Sequence, residues 1–223
     1  MKHKNSHLLV GYWSRLRNGR DVPDQTDIDP RAIKRMLSHV FILDAVNPMR
    51  PIYRLAGTGL CERYGMELKG AGFLANWEGQ SGVALNSLLK QALKTCQPIC
   101  LSAIGATTEC GMVELETILA PISFNGEEPV RFLGLTQVLS DMALLGGRPI
   151  AFQRLVASTM VHEDEPLVPA TLPPPVQIQR NHRHPKAPHL RLVVSQDRPE
   201  PTTADSNETL RRMAQLFGGN ADA

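Results

Sequence analysis

Cys96, Cys100 and Cys110 could supply three thiolates to a zinc ion, a metal held in tetrahedral sites by sulfur and imidazole. No histidine stands between them or close after them. Cys96 ends a helical pattern, while Cys100 enters a strand-like run. Those positions favour buried, apolar-like thiols over a metal centre. Glu114 and Glu116 are the other pair with chemical potential. Two carboxylates two residues apart share one face of a strand, where they could divide the roles of general acid and general base. A like-charged, solvated face is the plainer reading of the same alternation. His39 opens a β-prone run, where a polar boundary residue suffices. The chain has no GxSxG elbow, no HExxH and no GxxxxGK[ST] loop. The expectation is a protein without a catalytic or metal centre; the alternative is a site gathered from residues distant in sequence.

Composition bounds what can hold such groups. At 223 residues there is room for one domain with appendages, or for two small domains, and a hydrophobic fraction of 42% suffices for a core. A net charge of +2 gives no general reason to expect nucleic acid or a membrane surface. No apolar run approaches the roughly 18 residues of a membrane span, and Leu8 to Trp13 is too short for a signal-peptide core. Four cysteines in a chain this long do not read as a disulfide scaffold, so a cytoplasmic setting is expected.

The elements follow from periodicity and turn chemistry. Leu8, Leu9, Tyr12, Trp13 and Leu16 recur at helical spacing, and their apolar stripe must either dock on the chain's own domain or meet a second copy. Asp29-Pro30 is a helix start, with Ile33, Met36 and Leu37 on the buried face. His39 to Val46 and Ile52 to Ala56 read as antiparallel strands. A mini-helix capped by Thr58 follows over Gly59 to Tyr64 and stops at Gly65. Ser81 to Cys96 is a long helix through Leu85, Leu88, Leu89, Ala92 and Leu93. Three strands are expected next: Ile99 to Ile104, Val113 to Phe124 and Val130 to Leu139, the last two joined through Asn125-Gly126. Residues 148–161 read as an amphipathic connector helix through Phe152, Leu155, Val156, Thr159 and Met160. Residues 163–223 read as a largely disordered, proline-rich tail with a strand-like interruption at His189 to Ser195 and a short terminal helix through Leu210, Met213 and Phe217.

One stretch is more specific than these patterns. Tyr53 to Gly70 (YRLAGTGLCERYGMELKG) sets a strand, a mini-helix and a Gly-x-Glu-Leu-x-Gly turn in succession. It resembles the heart of PAS sensor domains, closest to those alphaproteobacterial PAS proteins that carry few or no other domains. Tyr53-Arg54, Gly57-Thr58, Glu67 and Gly70 match the family pattern; Met66 and Lys69 depart from it, where Arg and Thr or Ser are usual. The resemblance covers about Val10 to Leu139, which puts a sensor domain with its N-terminal helix over residues 8–140. It implies an α+β fold: a five-stranded antiparallel sheet with helices on one face, preceded by the N-terminal helix.

The resemblance also implies a signalling module rather than a catalyst, in such bacteria one controlling motility, polarity or the cell cycle. Haem-binding PAS domains draw an axial histidine from the long helix, and Ser81 to Cys96 has none. Photoreactive flavin domains place a cysteine between the mini-helix and the long helix, and Gly70 to Gly79 has none. Both cofactors are therefore argued against, and the ligand is left unknown. The implied pocket would draw on Tyr53, Leu55, Trp77, Leu85, Leu89, Ile104, Leu119 and Leu135. A ligand-free packed core is the competing reading of those residues. Trp13, Leu16, Leu210, Met213 and Phe217 are the candidate contacts to a second copy in a homodimer or to an unidentified signalling protein. The basic segment Arg180 to Lys186 could touch nucleic acid, but it lacks interleaved aromatics, and a solvated linker explains it better. A small-molecule-binding or enzymatic α+β domain that only mimics PAS order is the alternative to the regulatory reading.

Overall fold

A computed structural model of the chain describes residues 1–47 and 49–161; the expected tail over 163–223, with Leu210, Met213 and Phe217, lies outside them. Within the described residues one antiparallel sheet has the order β2-β1-β5-β4-β3-β6. Its strands are β1 (Val40–Asp44), β2 (Ile52–Ala56), β3 (Ile99–Ala106), β4 (Met112–Ile122), β5 (Arg131–Val138) and β6 (Phe152–Met160). Three α-helices accompany it: α1 (Lys4–Arg17), α2 (Thr58–Tyr64) and α3 (Gln80–Thr95). No helix among the described residues is long and apolar enough to cross a membrane.

The sheet has a helix-covered inner face and an outer face, and the period-2 alternation of each strand sorts side chains between them. Phe41, Leu43, Leu101, Leu115, Leu119 and Phe132 go inward to meet Leu60, Phe73, Trp77, Leu85 and Leu89. Val40, Cys100, Ile118, Ala120, Leu133 and Leu135 go outward, where Leu9, Tyr12 and Trp13 of α1 lie over them. In α3, Leu85, Leu89 and Ala92 form the buried stripe; each of the two leucines contributes roughly 1.5–3 kcal/mol by leaving water. The helix ends at Cys96, which takes the left-handed conformation (φ 54°) just before Gln97-Pro98.

Three sequence expectations need correction. Residues 148–161 do not form a connector helix: Phe152–Met160 is a sixth strand, paired antiparallel with β3 from Ala106↔Phe152 to Ile99↔Met160. The helical spacing was real, but Phe152, Val156 and Thr159 favour a pleated surface. The eight residues of β3 also offer that strand a whole unpaired edge. The sheet is consequently six-stranded rather than five-stranded. The segment after Asp29-Pro30 is a run of turns with successive i→i+3 bonds (Ala32 to Asp29, Ile33 to Pro30, Lys34 to Arg31) rather than an α-helix. Ile33 and Met36 are nevertheless buried, whereas Leu37 is exposed. Finally, Gly57 rather than Thr58 is the cap of α2; Gly65 ends that helix at φ 65°, as its sequence position requires.

Candidate functional site

The inner face carries the densest gathering of aromatic and isolated polar groups in the described residues. β1 and β2 present Phe41 and Tyr53 with ring centroids 5.4 Å apart. The short 3-10 turn Phe73–Asn76 brings Phe73 to 5.7 Å from Tyr53 and 6.2 Å from Phe41. Trp77 follows at 5.9 Å from Phe73. These separations are those of favourable edge-on and offset ring contacts. A Cβ on Gly134 would lie 2.2 Å from the Phe41 ring, so only glycine lets this cluster seat on β5.

Polar atoms punctuate this apolar wall. The hydroxyls of Thr117 and Thr136, on neighbouring strands, share a hydrogen bond of 2.9 Å. Arg63 Nη1 donates to the Thr136 carbonyl at 3.3 Å. The Tyr53 phenol is held well above its ordinary acidity range by burial and then by neighbouring Tyr64 and Cys61, and burial raises Tyr64 likewise. Both are neutral hydroxyls at physiological pH. The indole N–H of Trp77 is buried and finds no acceptor among the described residues. Such a donor carries a desolvation cost of about 1–3 kcal/mol until something accepts from it.

The residues expected to line a pocket do not all share one face of the sheet. Tyr53, Trp77, Leu85, Leu89 and Leu119 come together in the inner cluster. Leu55 does not: a β-bulge between Ile42 and Leu43 sets Leu55 opposite outward-facing Ile42, and it is 50% exposed. Ile104 and Leu135 have the outward parity of their strands; Leu135 lies beneath α1, and Ile104 borders a shallow outer groove. A one-residue error in reading a strand's phase is enough to put a residue on the wrong side. Sequence reading missed Phe41, Phe73, Tyr64, Thr117 and Thr136. The alternation of Phe41 and Leu43 was a usable signal for the first of them.

Other candidates also find their places. Trp13 is 1% exposed, and its indole donates to the Pro121 carbonyl at 2.6 Å; Leu16 packs half-buried beside it. Of the two uses weighed for the N-terminal stripe, Trp13 is thus taken up by the chain's own sheet. Glu114 and Glu116 are not one solvated face. Glu114 is solvated and pairs with Lys2 at 3.5 Å. Glu116 is 1% exposed, because the start of α1 covers it, and it accepts from the backbone amides of Lys2 and His3. Burial alone would raise its pKa, but the nearby Ser6 hydroxyl and the hydrogen-bonding amides of His3 and Lys2 hold it below the ordinary glutamate value. Burial, and then Glu116 beside it, push the Cys100 thiol up to about 12. His39 is half-buried, with its pKa lowered by burial and then by Arg63 and His3. All four cysteines are free thiols, and no three His, Cys, Asp or Glu side chains among the described residues gather as metal ligands.

Comparison with known proteins bears on the same region. A family model described as a PAS domain matches residues 1–137. No curated protein matches. Among solved structures, the light-state LOV domain of the blue-light photoreceptor Aureochrome1 aligns at 12% identity and a TM-score of 0.39, covering 51% of this chain and 91% of its own. The LOV protein of Rhodobacter sphaeroides aligns at 14% identity and a TM-score of 0.39, covering 52% of this chain and 70% of its own.

Proposed function

The chain belongs to the PAS-domain family, and from that premise we propose that it is a cytoplasmic, non-enzymatic regulator that senses through its inner face and signals through protein contacts. The observation that carries the sensing part is the buried, unanswered indole N–H of Trp77 beside Tyr53 and Phe73. A small molecule with one acceptor and an apolar body would remove the cost of that donor. It would also bias the position of the 3-10 turn and the start of α3, the covering elements next to it. A ligand that prefers one of two such arrangements shifts the population of the partner-competent form. The Thr117–Thr136 pair and the neutral Tyr53 hydroxyl supply further orienting groups. Regulation is then exerted as a homodimer or on a separate signalling protein, without turnover.

Native mass spectrometry of the purified chain beside its denatured mass tests the sensing part. An additional mass retained by the wild type and lost in Trp77→Phe is the expected result. Turnover of a metabolite that depends on one carboxylate or thiol would instead establish the enzymatic alternative and overturn the proposal.

A further inference from the structure

The two edges of the sheet are finished differently. At β2 the outer edge is occupied: the Tyr53 amide donates to Ala71, the Gly70 amide donates to the Tyr53 carbonyl, and Ile52 bridges to Gly72. The N-terminal half of β6 is treated in the same way. The Gln153 carbonyl accepts from the Glu78 amide, Gln153 bridges to Trp77, and the Leu155 amide donates to the Ser81 hydroxyl at 3.0 Å. Beyond Leu155 no such cover is found among the described residues. Among the described residues no strand pairs with the outer side of Val156–Met160, and Val156, Ala157, Ser158 and Thr159 are all exposed.

Natural edges are ordinarily protected by charges, proline or shortness. The Val-Ala-Ser-Thr-Met run has no charged residue and no proline, and it ends a nine-residue strand. Its β-bulge, opposite Ser102 and Ala103, is the one protective device among the described residues. Val156 is 63% exposed and borders a groove of about 110 Å³ together with Ile104 and Leu139. Lys2 and Glu114, of opposite charge, stand at the groove's rim.

We propose that Val156–Met160 is the homodimer contact, pairing antiparallel with the same five residues of a second copy. The occupant follows from self-complementarity. A two-fold axis at Ser158 sets Val156 against Met160 and Ala157 against Thr159, so apolar and small residues meet with no like charges opposed. The proposal rests on the dimeric form of the regulatory reading and names the surface that reading left open once Trp13 was found buried.

The test is the dimerisation constant of the full chain up to about 100 µM, because a strand-edge contact belongs among the smaller interfaces. Ser158 is exposed, so Ser158→Lys and Ser158→Glu place a charge at the axis without entering the core. Each variant alone should dimerise at least roughly tenfold more weakly than wild type. An equimolar mixture of the two should recover a heterodimer, and backbone amides of 156–160 should exchange more slowly in concentrated wild-type protein. A monomeric wild type overturns both the dimer and the edge. A dimer that Ser158→Lys leaves equally tight, or a mixture that recovers nothing, overturns the edge alone. Concentration-independent protection of 156–160 means that something other than a second copy covers the edge, and it overturns the proposal as well.

Discussion

Single atoms decide much of the inner face. Gly134 has no space for a methyl against the Phe41 ring, 2.2 Å away. Gly134→Ala should therefore destabilise the fold by about 1–3 kcal/mol, as overpacked cores do. Thermal unfolding should register this as a loss of several degrees, and an unchanged midpoint would show that the aromatic cluster is loose. Thiol chemistry gives a second test at this scale. Cys100 is buried, with its pKa near 12, whereas Cys110 is exposed on the loop between β3 and β4. A thiol reagent at neutral pH should label Cys110 first and reach Cys100 only on unfolding, since the thiolate is the reactive species. Labelling counted by mass at increasing denaturant checks the order.

At the scale of elements, α1 is held by its side and by its beginning. Its side places Trp13 against Pro121, and its beginning gives the Lys2 and His3 amides to Glu116. Glu116→Gln leaves a neutral acceptor and should loosen the first turn while sparing the sheet. Faster hydrogen exchange over 4–9 with unchanged exchange in β4 and β5 is the expected pattern. Legibility from sequence divides along these lines. Elements set by local chemistry were readable: α3 by its leucine stripe and its Gln97-Pro98 stop, α2 by Gly65, and the β4–β5 turn by Asn125-Gly126, both with positive φ. Elements set by what lies beside them were not. β6 carries a spacing compatible with a helix and becomes a strand because β3 offers it an edge. For the site, Tyr53, Trp77, Leu85, Leu89 and Leu119 were readable as buried. Leu55 was not, because the bulge that turns it outward leaves no mark on its own residue type.

For the whole molecule, two carboxylates tie distant parts of the chain together and make its stability depend on acid. Asp24 accepts from the Thr26 and Gly126 amides and from the Thr26 and Ser123 hydroxyls, joining the segment after α1 to the β4–β5 turn. Burial opposes its ionisation, but these hydrogen bonds lower its pKa to about 2. A depressed folded pKa means that the stabilisation, on the order of 2 kcal/mol, is complete above the unfolded value of about 3.9 and is lost as pH falls through about 2. Glu116 acts in the same direction. Urea midpoints should accordingly drop between pH 5 and pH 2, and Asp24→Asn should flatten that slope; equal slopes would remove Asp24 as a cause. The docking of Trp13 on Pro121 spans 108 positions of sequence. On a ribosome adding about 5–20 residues per second, the floor beneath α1 is made roughly 5–20 s after the helix itself. A 14-residue helix is marginally stable alone, so during that interval α1 is an unanchored, tryptophan-bearing apolar segment of the nascent chain, of the kind a chaperone holds.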